Sequence, residues 1–138
     1  MAQKHLNQEF TVLNGVQATG AGNKFNSASW DNVLLTLSTA GIGTGDSIIM
    51  KIQGSYSETP PDFDAAQSAT NRWDYILITD LENEIPVDGD DGVTFLTADD
   101  VRQFEIVTNG LKWITVNVTT ISDTTNTKAY THLQAFKN

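Results

Sequence analysis

No stretch of this sequence keeps a helical period, whereas short runs of β-branched, aromatic and aliphatic residues recur along it between clusters of Gly, Asn, Asp, Ser and Pro. Closely spaced strands punctuated by turn signals are what a sandwich or barrel needs. The first run, Phe10-Thr11-Val12-Leu13, ends at Asn14-Gly15, a dipeptide that accepts positive φ and predicts a hairpin or sharp reversal. A Gly-rich stretch from Gly20 to Asn23 follows. In Val33-Leu34-Leu35-Thr36-Leu37, residues Val33, Leu35 and Leu37 share a core face because strand side chains alternate with period two. After a glycine-containing loop from Thr39 to Gly45, the run Ser47 to Gln53 sets Ile48, Met50 and Ile52 against Ile49, Lys51 and Gln53, an alternating strand with one wet face.

Gly54-Ser55 closes that strand, and the segment from Tyr56 to Asn71, with Pro60-Pro61, is long, polar and irregular. Loops of such length are usually functional or mobile. Trp73-Asp74-Tyr75-Ile76-Leu77-Ile78 is the strongest strand by composition and is expected to be central. Asp80 to Gly92 is acidic and turn-rich, Val93 to Leu96 is a short strand, and Thr97 to Asp100 caps at most a helical turn. Asn109-Gly110 lies between Gln103–Val107 and Lys112–Val118, a second hairpin signal, and Lys128 to Phe136 is the last strand. About eight strands predict an all-β, antiparallel β-sandwich, with residues 1–8 as an N-terminal arm and 9–138 as one domain. The arm either orders on a neighbouring subunit or frays.

A chain of 138 residues can bury one sizeable core. The formal net charge of -9 repels phosphate backbones and anionic headgroups, so neither nucleic acid nor membrane is an expected partner. No apolar run approaches a membrane span, and the first residues lack the apolar stretch of a signal peptide. Cysteine is absent, which removes disulfides, thiolate nucleophiles and Cys-based zinc sites together and leaves stability to packing or to neighbouring subunits.

Chemistry-bearing residues are sparse. The two histidines are His5, in the arm, and His132, which shares a strand face with Tyr130 and Gln134 and reads as an ordinary edge or surface residue. Nucleophile elbows, P-loops and dinucleotide glycine patterns are missing. Asp80, Glu82, Glu84, Asp88, Asp90 and Asp91 offer hard oxygen ligands, but their spacing does not fit a calcium loop, and a solvated charged loop is the simpler reading. Trp30, Trp73 and Trp113 would suit a sugar-stacking platform, although the strand phase of Trp73 and Trp113 places them in or beside the core. Asn117-Val118-Thr119 matches a glycosylation acceptor and reads as a strand end. No catalytic, cofactor-binding or metal-ligating residue is assigned, and the chain is expected not to be an enzyme.

The strand wording resembles small β-sandwich virion proteins of tailed bacteriophages, the capsid decoration or cement proteins. The residues that carry this likeness are Phe10 to Val16 with Ala18 to Gly22, Lys51-Ile52-Gln53-Gly54-Ser55, Trp73-Asp74-Tyr75-Ile76, and Phe104-Glu105-Ile106 to Lys112-Trp113-Ile114. The resemblance implies a jelly-roll-like sandwich, a dimer or trimer, that binds the assembled major capsid protein on the outer surface of the virion and reinforces the head. Such a protein is made in the bacterial host cytoplasm and has no catalytic residues. A carbohydrate-binding module of a tail or fibre, or another head or tail component, are the alternatives.

Overall fold

The computed structural model describes residues 6–137. Twelve strands follow in order: β1 (Leu6–Val16), β2 (Gly20–Ala21), β3 (Phe25–Asn26), β4 (Asn32–Ala40), β5 (Ser47–Ser55), β6 (Asp74–Tyr75), β7 (Ile78–Asp80), β8 (Ile85–Val87), β9 (Val93–Leu96), β10 (Val101–Val107), β11 (Trp113–Ile121) and β12 (Lys128–Lys137). They form two antiparallel sheets packed as an open sandwich. The front sheet has the order β1-β12-β4-β10-β7-β8. In the back sheet, β11 pairs with β5, while β2 and β3 flank β11 and β6 and β9 flank β5.

The alternating runs fold as their period dictates. Val33, Leu35 and Leu37 of β4, Ile48, Met50 and Ile52 of β5, and Ile114, Val116 and Val118 of β11 are all buried between the sheets. Phe104, Ile106 and Leu133 complete the same layer. Burying each such side chain contributes about 1.5–3 kcal/mol, which offsets the cost of ordering the strands.

Both Asn-Gly signals, however, do something other than close a hairpin. β1 runs through Asn14-Gly15 to Val16, and its register against β12 shifts between Thr11 and Leu13 and again between Asn14 and Val16. Gly15 supplies its positive φ of 69° to the second of these bulges. The first lets consecutive residues, Val12 and Leu13, both enter the core. Asn109-Gly110, with φ of 33° and 90°, carries the chain from β10 in the front sheet to β11 in the back sheet, so the two flanking strands are not partners. Turn chemistry sets local dihedrals and leaves the pairing partner to the core.

The run from Trp73 to Ile78 is likewise not one central strand. Its β6 half is a two-residue edge of the back sheet, and after Ile76 N–H donates to Ile52 O the chain crosses at Leu77 to become β7, next to the outermost strand of the front sheet. That split, with the short strands β2, β3 and β8, accounts for twelve strands where about eight are expected. Residues 6–8, assigned to an arm, are the start of β1 and pair with β12, while Met1 to His5 lie outside the described residues. Thr97 to Asp100 forms bends and no helical turn.

The segment 56–73 folds back over the outer face of the back sheet. Asn71 organises it: its Nδ2 donates to Asp62 O and Ala66 O, and its Oδ1 accepts from Asp62 N–H. Phe63 is thereby pressed down until it is 2% exposed, and Gln53 Nε2, on the outer side of β5, donates to Phe63 O at 2.9 Å. Gln53, expected on a wet face, is fully buried for this reason.

Candidate functional site

The three tryptophans do not form one platform. Trp73 lies edge-on to Tyr75, with ring centroids 5.1 Å apart, and tilted against Phe63 at 6.4 Å. Its indole N–H donates to Ala65 O at 3.0 Å, so the ring is locked into the folded-back segment. Trp113 sits in β11 between Ser55 and Asn26, with a buried Nε1 that has no hydrogen-bond partner. Trp30 packs half-buried against the edge of the core before β4.

The acidic stretch splits by orientation. Asp80 turns inward: Arg102 Nη2 donates to its Oδ2 at 2.9 Å, Asn83 Nδ2 to the same oxygen at 3.1 Å, and Glu82 N–H to its Oδ1 at 2.9 Å. These donors, Asn83 first, hold the carboxyl below its ordinary range against the opposing effect of burial. It closes the β7–β8 turn, where Glu84 N–H donates to Asp80 O. Asp88 caps the N–H of Asp90, while Glu82 and Glu84 point to solvent. Among the described residues no group of three or more His, Asp or Glu is placed to hold a metal ion.

His132 projects from the outer face of the front sheet, paired with Thr11 and Thr36, and its Nδ1 lies 3.5 Å from Thr11 Oγ1. His5 lies outside the described residues. Asn117-Val118-Thr119 is not a strand end but the interior of β11, beside a register shift against β5.

What the structure does assemble is a cleft of about 460 Å³ where the folded-back segment meets β5 and β6. Gly54 and Ile76 line its floor, Trp73 and Tyr56 its aromatic walls, and Arg72 and Asp74 its polar mouth. Tyr56 is 65% exposed and leans over the Asn109-Gly110 turn, its ring close to Gly110. Arg72 accepts from Ser55 Oγ through its carbonyl, while its guanidinium has no partner among the described residues. The other cations nearby are engaged: Lys112 pairs with Glu58, and Lys51 lies 4.9 Å from the centroid of Tyr75. Burial, followed by the Asp90 carboxylate, raises the Tyr75 phenol above its ordinary range. The arrangement can stack a flat or apolar group and neutralise an acid. Trp73 was legible as a candidate; Tyr56 and Arg72 were not, because only the fold brings 56 and 72 to one mouth.

No family model matches the chain, and no curated protein matches it. Among solved structures it is similar to the SPBc2 prophage-derived protein YomS, at 9% identity and a TM-score of 0.67, over 99% of this chain and 98% of that one. The two share a fold from end to end.

Proposed function

We propose that this chain is a non-catalytic virion protein of a tailed phage, a capsid cement or decoration protein that binds the assembled major capsid protein on the outside of the head. The observation that carries the reading is the end-to-end likeness of the sandwich to a prophage-derived protein of nearly the same length. A surface with net charge -9 suits a protein partner better than packaged nucleic acid. As a dimer or trimer the protein would engage several capsid subunits at once, and each added contact raises effective concentration, so modest interfaces hold for long times. Cosedimentation with undecorated capsids of the parent phage, paired with solution mass by light scattering, tests this. Saturable binding at a fixed copy number is expected; absence of binding by a monomeric chain would remove the reading.

A second reading, a carbohydrate-binding module of a tail or fibre, is favoured by one observation: the exposed Tyr56 ring beside Trp73 and the unpaired Arg72. Glycan-array binding that disappears in Tyr56→Ala, with an unchanged melting curve, is its expected signature. A blank array leaves the cleft without this role.

A further inference from the structure

The outer face of the front sheet carries an apolar surface that nothing in the described chain covers. On β10 the outward side chains are Val101, Gln103, Glu105 and Val107; Thr79 of β7 pairs with Glu105, Leu81 N–H donates to Gln103 O, and Leu77 stands at the crossing that leads into β7. Val101 is 65%, Leu77 60%, Val107 58% and Leu81 40% exposed. Apolar groups clustered on one face of a soluble domain mark an interaction site. The neighbouring strands β4, β12 and β1 continue this face around a shallow hollow of about 570 Å³ lined by Glu9, Leu34, Thr36, His132 and Gln134, with the exposed Lys128 at its β12 end.

The charges on and around this face are mostly carboxylates, Glu9, Glu82, Glu84 and Glu105 against the single cation Lys128 among the described outward residues. Glu105 lies within the apolar cluster, and Glu82 and Glu84 stand on the β7–β8 turn at its border. Arg102, the cation on β10, is turned to the opposite side and bound by Asp80. Two copies meeting here would bring two predominantly acidic faces together, and like charges across an interface disfavour association.

We infer that this face docks a different protein, one that presents a convex apolar surface rimmed with Lys or Arg, rather than a second copy of this chain. The inference rests on the cement reading for the identity of that protein, the major capsid protein.

The test is cosedimentation of wild type, Val107→Asp, Leu77→Asp and Glu82→Lys with undecorated capsids, alongside Asn117→Asp on the back sheet as control. Val107→Asp and Leu77→Asp are expected to weaken binding at least about tenfold, as loss of an anchoring apolar contact does. Glu82→Lys should weaken it less and flatten its salt dependence. Thermal melts of the free variants should stay near wild type, since these side chains are exposed. Wild type that binds while both Asp variants bind equally well overturns the docking face and leaves the cement reading standing. Wild type that binds no capsid removes the cement reading; the face is then judged against the other purified virion proteins of the same particle, and binding to none overturns it as well. A wild-type dimer that Val107→Asp converts to monomer would assign the face to a second copy and overturn the proposed occupant.

Discussion

The two sheets of this sandwich treat their outer faces differently. On the back sheet, residues 56–73 form a roof over Gln53, and its neighbour Thr115 is capped by the carbonyl of Asn23, so both are fully buried although they lie on the side of the sheet away from the main core. On the front sheet, the described chain leaves the outer face bare, so His132, Gln103 and Val107 at equivalent outward positions are exposed. Strand alternation is the same in both. What differs is whether distant chain returns to cover the wet side, and that difference separates a face used for stability from one free for a partner.

Substitutions under the roof should therefore cost far more than substitutions on the bare face. Phe63→Ala is expected to have the largest effect, about 3–5 kcal/mol in urea unfolding, because it removes the aromatic plug and exposes the Gln53 bond. A loss below about 1 kcal/mol would mean that the roof contributes little to stability. Asp80→Ala should follow at about 3 kcal/mol, since it strands Arg102 and the N–H groups of the β7–β8 turn.

The Asp80 contribution also has a definite pH dependence. An unfolded Asp80 titrates near the ordinary value of 3.8, and the folded carboxyl lies lower. Its stabilisation is thus complete above about pH 4 and is lost as pH falls through the folded value. The wild-type melting temperature should drop on that side while Asp80→Asn drops less; parallel pH profiles would refute the assignment. Asn71→Ala comes next, at about 1–3 kcal/mol, with trypsin cutting at Arg72 before global unfolding as its diagnostic. Smallest of all, Val107→Ser and Leu77→Ser should change stability by no more than about 0.5 kcal/mol. A larger loss would show that the bare face is structurally engaged after all.

Much of the core was legible before any coordinates. Val33 to Leu37 and Ile48 to Ile52 announce their inward sides by alternation alone, because a two-residue period is a local property. The partners of those strands were not legible. Asn14-Gly15 and Asn109-Gly110 both advertise positive φ, which Gly15 adopts in the first and both residues adopt in the second, yet one makes a bulge and the other crosses between sheets, since a turn's dihedrals do not encode which hydrophobic face the next strand must meet. Trp73 to Ile78 has the composition of a buried strand, but that composition is satisfied equally by two half-strands on opposite sheets. The cleft suffers the same limit: Trp73 stood out by type, whereas Tyr56 and Arg72 acquire meaning only once Asn71 has folded the segment that joins them.

In the front sheet, β12 lies between β1 and β4, and the strand on the other side of β4 is β10. Every neighbour of β4 is thus encoded well downstream of it. During synthesis, the first half of the nascent chain emerges with two strands whose edges have nothing to pair with, and the sheet closes only when residues 128–137 insert between them. Folding of this domain should consequently be late, slow and concerted, as expected when contacts join distant parts of a chain. Until that last strand arrives, β1 and β4 are open to pairing with other chains, which makes the interval before insertion the period of greatest risk of aggregation.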